Sequence, residues 1–370
     1  MPVSERNSLL ELIQQEIDSF CDEKRDQLSE ISDDLVPIID YTQELLQGGK
    51  RFRALFAYWA WAASLPPGSN PSELIEQANG IVGIASALEI FHGAALVHDD
   101  LMDQSDTRRG KPSIHKRFES MHTEKGFLGD PERFGQSGSV LVGDLMLNWS
   151  SEVFGAAVTS APNSDIETSC RNEFSKMRFE VMAGQYLDVL EENAAPLRSL
   201  ADAVTMAEKV MLYKTAKYSL EAPLLIGASF AGANEETLRG FSNFGIPLGL
   251  AFQIRDDILG VFGDPEITGK PAGDDLREGK RTVLVALTLQ QSSNSIAGIF
   301  NDLLSERDLE EEQINFMQQT IRDSGALGKT ERMMHEYGER AMEALKSMDL
   351  EDDAKQKLQA LAERVISRTS

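Results

Sequence analysis

The chain has 370 residues, enough for one large domain or two ordinary ones, and its 41% apolar content fits a folded globular protein. A formal net charge of −24 argues against a broad nucleic-acid-binding surface, because it repels a phosphate backbone. The two cysteines, Cys21 and Cys170, lie far apart without a CxxC pair, which argues against a disulfide framework or a zinc site and fits a reducing compartment.

Ala, Leu, Glu, Lys and Gln dominate, apolar residues recur at spacings of three and four, and alternating Val/Ile/Thr runs with hairpin turns are nearly absent. The expected class is therefore all-α. The N-terminus, MPVSERNSLLELIQQEI, has no leader pattern. In chain order, helices are expected at 6–32, 35–47, 50–64, 71–105, 139–159, 165–192 and 199–210. Further helices are expected at 212–231, 234–263, 281–291, 294–304, 309–323, 326–347 and 350–367. Pro/Gly-rich breaks fall between them at 66–71, 161–164, 232–234 and 263–274. The apolar run at 54–65 is shorter than the roughly 20 residues a bilayer span needs. A cytoplasmic protein with no stable membrane insertion is expected. Residues 119–138, ESMHTEKGFLGDPERFGQSG, are expected to form a mobile loop.

Two segments, IVGIASALEIFHGAALVH at 81–98 and FGIPLGLAFQIR at 244–255, are apolar nearly all round, the mark of helices at the centre of a bundle. Each ends in an aspartate pair, Asp99 and Asp100 in the first and Asp256 and Asp257 in the second. On a helix Asp99 and Asp103 share a face, and Asp100 points about a quarter-turn away. A surface helix end is the ordinary reading of one such motif. Two of them, each closing a buried apolar helix, favour carboxylates that share a cation, since buried like charges repel without one. Hard oxygen ligands suit Mg²⁺, whose shell waters and phosphate oxygens commonly complete.

The basic residues cluster against these acids. GGKRFR supplies Lys50 and Arg53, Arg108 and Arg109 follow the first acidic motif, YKTAKYS supplies Lys214 and Thr215, and a Gly-rich stretch supplies Lys270 and Lys280. Each pair alone reads as a solvated face. Beside two acidic motifs they describe a site for two phosphorylated substrates.

With GGKRFR, FHGAALVHDDLMD…TRRGKP, GQYLD, YKTAKYS and FQIRDD…FGD…TGK…GKRT in this order from about Gly48 to Thr282, the sequence resembles the trans-isoprenyl diphosphate synthases, the farnesyl and geranylgeranyl diphosphate synthase family. It is most like a geranylgeranyl diphosphate synthase. The resemblance implies the isoprenoid synthase fold, antiparallel helices around a central cavity, as one domain over 1–370, and a homodimer. It implies Mg²⁺, three ions per site, with Asp99, Asp103 and Asp256 as ligands and Asp100 and Asp257 in support. Lys50, Arg53, His92 and Arg109 match the isopentenyl diphosphate site. Arg108, Lys214 and Lys270 match groups on the allylic diphosphate, and Lys280 matches a basic residue of a closing segment over 263–282. Thr215 and Gln253 match polar groups beside the reacting carbons, and Gln185 and Asp188 a polar pair near the metals. One departure stands out: the family's second motif is often DDxxD, and here DDILG puts Gly260 in the third place, with Asp264 one turn further on.

The implied chemistry is ionisation, condensation and elimination. Metal and lysines stabilise charge developing on the leaving diphosphate, the double bond of isopentenyl diphosphate attacks the allylic cation, and the released diphosphate takes the proton. Closure of 263–282 excludes water. His92, read alone, is a satisfied core histidine; in this setting it is a hydrogen-bond partner of a diphosphate. One turn back from Asp99 lie the small residues Ala94 and Ala95, and two turns back lies Phe91. A pocket that passes the alanines and stops at Phe91 implies a C20 product, geranylgeranyl diphosphate; Phe91 packed elsewhere implies a longer one. The alternatives are a farnesyl or longer-chain synthase, a terpene cyclase, or a non-catalytic subunit of a heteromeric synthase. Aspartates in the second motif and the GGKRFR site count against a cyclase, and the presence of both acidic motifs counts against a subunit without activity.

Overall fold

The computed structural model describes residues 3–77, 80–194, 197–264, 272–306 and 308–366. Among them the secondary structure is helical apart from one two-residue ribbon. The first half contains α1 (Val3–Ile31), α2 (Val36–Leu46), α3 (Phe52–Ser64), α4 (Pro71–Gln77), α5 (Gly80–Met102), α6 (Ile114–Glu124), α7 (Pro131–Val158) and α8 (Ser164–Ala194). Next come α9 (Leu200–Val210), a π-helical segment over Met211–Glu221, and α10 (Ala222–Phe230), which run on as one rod. The chain ends with α11 (Glu235–Phe262), α12 (Asp274–Arg277), α13 (Val283–Gln291), α14 (Asn294–Leu303), α15 (Glu311–Asp323), α16 (Ala326–Ser347) and α17 (Asp352–Ile366).

The helix starts follow local chemistry. Asn234 Oδ1 accepts the Thr237 amide at 2.9 Å to open α11, and Thr282 Oγ1 accepts the Val285 amide at 3.3 Å to open α13. Each satisfies an amide that has no partner inside the helix. α5 packs against α7, α3 and α1. It is the one helix among the described residues long and apolar enough to cross a membrane, and 83% of that stretch is buried inside the protein. It is a core helix, as its all-round apolarity implies. α11 packs against the π-helical segment and α16. One apolar cluster gathers around α3, α5, α7, α8 and α10, and a second around the end of α11 and α13–α15.

One expectation is corrected. Residues 119–138 are not a loop: they belong mostly to α6 and α7. Asp130 accepts the Glu132 amide at 3.0 Å, and Pro131 sits in the first turn of α7, so the turn between the two helices is short. Phe127 packs edge to face on both Phe134 and His122, and the His122 ring lies tilted against Phe134; polar composition had masked this apolar contact. The expected helix over 71–105 is helical at Pro71–Gln77 and Gly80–Met102; residues 78–79 lie outside the described set. The all-α expectation holds, with one small addition: a ribbon of β1 (Thr107–Arg108) and β2 (Lys111–Pro112), antiparallel with Arg108 opposite Lys111. Its turn residues Arg109 and Gly110 both have positive φ, 53° and 75°, as a two-residue hairpin turn of this hand requires.

Candidate active site

The first acidic motif closes α5, and its three aspartates point to different partners. Asp100 is buried, and Arg108 donates to it through Nε at 2.8 Å and also through its terminal nitrogen. The ribbon is what returns Arg108 to the helix it has just left. Asp99 accepts from Gln185 Nε2 at 3.0 Å and lies 3.3 Å from Lys214 Nζ and 3.8 Å from Arg108. Burial opposes its charge, but Lys214, Lys280 and Arg108 outweigh burial and hold its carboxyl below the usual range. Asp103, one turn on, is pushed up to about 7 by burial and then by the charge of Asp99. Two neighbouring carboxylates with opposite shifts form a site that gains from a cation.

The opposing wall is built by the π-helical segment, α8 and α11. Lys214 pairs with both Asp99 and Asp188, and these acids with Asp103 hold it charged despite burial. Gln185, Asp188 and Glu192 lie along one stripe of α8. The carboxyl of Glu192 is raised to about 7, by burial first and then by Asp188. Thr215 Oγ1 donates to Gln253 Oε1 at 2.6 Å, and Gln253 Nε2 donates to Asp257 Oδ1 at 2.7 Å. Asp257 is buried, with its carboxyl pushed well up by burial and next by Asp275. The π-helical segment carries Lys214 and Thr215 against glycines of its neighbours: a Cβ at Gly184 would collide with the Lys214 backbone, and one at Gly249 would lie 3.0 Å from the Ala216 carbonyl oxygen. Widened turns of this kind are frequent at functional sites.

Lys280 joins the first acidic motif to the acids of the α12 segment. Its Nζ lies 3.8 Å from Asp103, 3.3 Å from Asp275, and in contact with Glu278. Ser105 Oγ donates to Glu278 at 3.4 Å, so the segment carrying α12 is tied to the end of α5. Lys270 lies outside the described residues, and Asp264 is exposed beyond the end of α11.

A basic pocket lies beside the first motif. Arg53 donates to Ser219 Oγ at 2.7 Å and stacks over the Tyr218 ring at 4.4 Å. The Tyr218 hydroxyl lies 3.2 Å from His92 Nδ1. His92 is held well below its ordinary pKa by burial and then by Arg53, Arg109, Arg108 and Arg51. Arg109 approaches Gly49, where a Cβ would lie 3.0 Å from its guanidinium, and donates weakly to the Leu45 carbonyl at 3.4 Å. Lys50 is exposed at the rim. Arg51 turns inward instead, 3.7 Å from the buried Glu89.

Phe91, fully buried, touches Phe174 of α8 and Tyr218 of the π-helical segment edge on, at centroid distances of 6.4 and 5.7 Å. Ala94 is buried and Ala95 half-buried between Phe91 and Asp99.

The structure thus brings Asp99, Asp100, Asp103, Arg108, Gln185, Asp188, Lys214 and Lys280 into one network and Thr215, Gln253 and Asp257 into a second beside it. Among the described residues no three acids converge on one point closely enough to hold an ion alone. The donors are nonetheless all carboxylate oxygens beside cations that grip phosphate, which fits Mg²⁺ completed by diphosphate oxygens and water. Sequence reasoning missed Asp275, Glu278 and Glu192. The first two sit in GDDLREGK, where an acidic pair precedes a lysine, and that grouping was the available signal. Glu192 was visible as the residue one helical turn beyond Asp188.

An all-α bundle with paired aspartate motifs and lysines between them defines an isoprenoid synthase. The family pattern of the polyprenyl synthetases matches residues 36–321, and the chain belongs to that family, making it a prenyltransferase. It is 30% identical to the geranylfarnesyl diphosphate synthase of Aeropyrum pernix over 323 residues, 87% of this chain and 91% of that one. It is also 30% identical to the geranylgeranyl diphosphate synthase of Sulfolobus acidocaldarius over 284 residues, 76% of this chain and 79% of that one. A crystal structure of the geranylgeranyl pyrophosphate synthase of Corynebacterium glutamicum, complexed with isoprenyl diphosphate and magnesium, superimposes with a TM-score of 0.89 at 36% identity. That match covers 97% of this chain and 98% of the other.

Proposed function

We propose that the protein condenses isopentenyl diphosphate with an allylic diphosphate (dimethylallyl, geranyl or farnesyl) head to tail and in trans, releasing diphosphate, with geranylgeranyl diphosphate as its main product. The observation that carries this reading is Lys280, which spans from Asp103 to Asp275, the acid seated over Gly260 of α11, and so stands between the two motifs that would flank one diphosphate.

Asp99, Asp103 and Asp256 would hold Mg²⁺, three ions per site, with Asp100 anchoring Arg108 and Asp257 anchoring Gln253. Bound Mg²⁺ supplies Lewis-acid stabilisation of the departing diphosphate. Arg108, Lys214 and Lys280 carry fixed positive charge to the same oxygens, and Lys270 is assigned with them from the family resemblance. Lys50, Arg53, His92 and Arg109 bind the second diphosphate. Thr215 and Gln253 turn oxygen dipoles toward the allylic carbons, and Gln185 and Asp188 orient Asp99 and Lys214. The released diphosphate takes the proton, so no protein base is required.

Chain length rests on α5. Phe91, Ala95 and Asp99 recur every fourth residue and share one face, with Phe91 roughly 12 Å below Asp99. Asp99 contacts Gln185 of α8 and Lys214 of the π-helical segment, and Phe91 contacts Phe174 and Tyr218 of the same two elements. Phe91 therefore closes the groove that Asp99 opens. We infer further that residues 1–370 form one synthase domain, that the protein is cytoplasmic, and that it is a homodimer through α7 and α8. On α8, Phe179, Met182 and Tyr186 make one apolar stripe that is 75%, 42% and 67% exposed, the kind of contiguous surface that suits a partner helix.

A product assay tests the reading. Purified protein, Mg²⁺, labelled isopentenyl diphosphate and each short allylic diphosphate are expected to give a C20 product. It should vanish with EDTA and fall at least about 100-fold in Asp99→Ala, and it should lengthen in Phe91→Ala. No condensation with any starter would replace this reading with that of a non-catalytic subunit, and unchanged length in Phe91→Ala would remove Phe91 as the floor.

A further inference from the structure

The second acidic motif lacks its third acid, and Gly260 stands in that place. Gly260 lies four residues after Asp256 and three after Asp257, on the face of α11 that carries them. A glycine in a helix interior costs roughly 1 kcal/mol relative to alanine, so a physical reason for it is expected. The space above it is filled. A Cβ built on Gly260 would fall inside the carboxylate of Asp275, colliding with Oδ2 and lying 2.8 Å from Oδ1. Asp275 arrives from α12, fifteen residues later, and its side chain is 15% exposed.

We propose that Asp275 is the third acid of the second metal-binding cluster, entering over Gly260 in place of a side chain from α11, and that position 260 is glycine in order to admit it. This rests on the reading of the two acidic motifs as Mg²⁺ sites. Two observations support it. First, the carboxylate occupies the volume that a residue at 260 would occupy. Second, Asp275 lies 3.3 Å from Lys280, and Lys280 lies 3.8 Å from Asp103, so one acid from α12, seated over Gly260, links both motifs. Acid and lysine travel on one short segment. Docking Asp275 onto α11 therefore sets where Lys280 stands, and a single contact positions both the extra carboxylate and the cation. Asp275 is a positioning residue with a predicted effect on metal affinity.

The test is Mn²⁺ binding to the full chain with inorganic diphosphate present, read by electron paramagnetic resonance or calorimetry rather than by turnover. Asp275→Ala and Asp275→Asn are expected to weaken binding about tenfold or more, the range for outer partners of a metal site. Gly260→Asp alone is expected to weaken it as well, because two carboxylates then compete for one space. The double variant Gly260→Asp with Asp275→Gly returns the acid to α11 and is expected to bind within about threefold of the parent, a difference of under ~1 kcal/mol. Parent-like binding by both Asp275 variants would overturn the proposal. So would a folded double variant that binds no better than Asp275→Ala. Should Gly260→Asp fail to fold, the Asp275 variants still decide the matter. Asp99→Ala and Asp256→Ala run alongside: if they too bind like the parent, the metal reading of the motifs has failed, and this proposal fails with it.

Discussion

His92 shows how position overrides residue type. A half-buried histidine among apolar neighbours would usually be satisfied and silent. Here it faces Arg53, Arg109, Arg108 and Arg51 and is held neutral by burial and by their charge. Protonating it in the folded state is therefore harder than in the unfolded chain, where histidine titrates near about 6.5. The folded protein binds fewer protons there, so His92 contributes stability that is present above about pH 6.5 and lost as pH falls below it. His92→Gln, which keeps a hydrogen-bonding group for Tyr218 without the titration, is expected to lose less Tm than the parent between about pH 7 and about pH 5.5. Equal losses in thermal melts at the two pH values would show that His92 is not an acid-sensitive point.

At the scale of elements, the π-helical segment is the most demanding feature. Its extra width is accommodated by backbone, not side chain: Gly184 meets Lys214, Gly249 meets Ala216 and Gly245 meets Glu221, whose Cα would lie 2.9 Å from an added Cβ. Pro247 lies between the two α11 glycines and removes one amide from the helix ladder at that level. Gly249→Ala is expected to destabilise by about 1–3 kcal/mol and to cut kcat at saturating substrates, since Lys214 and Thr215 must move with the segment. Gly298→Ala on α14 is the matched control. Nothing lies within 4 Å of its added Cβ, so it is expected to stabilise by roughly 0.5–1 kcal/mol. A Gly249→Ala enzyme with parent kcat would mean that the close approach is incidental to the site.

At the scale of the whole molecule, α7 and α8 present the apolar surface that the buried cluster around α3, α5 and α10 does not use. Phe179 and Tyr186 point outward on α8, and Leu141 on α7 is 60% exposed. The double variant Phe179→Asp with Tyr186→Asp is expected to sediment as a monomer where the parent sediments as a dimer. A monomeric parent would refute the homodimer, and a dimeric variant would move the interface elsewhere. The variant is expected to keep its melting temperature within a few degrees if the exposed stripe is absent from the protomer core.

Much of this was legible in the chain itself, because helix periodicity and all-round apolarity are local properties. The 81–98 and 244–255 segments announce central helices, and the aspartates that end them announce where charge gathers. The same local logic misread 119–138, whose polar composition hid Phe127 and Phe134 packing on His122, and it passed over a ribbon too short to show alternation. What sequence alone determined is which elements form and which residue types stand at their ends. Only the tertiary structure decided which acid meets which base. Lys214 reaches Asp99 across 115 positions, and Asp275 reaches Gly260 from the other side of a break in the helices. Such pairings depend on how helices pack and where their backbones come close, and no spacing along the chain encodes that.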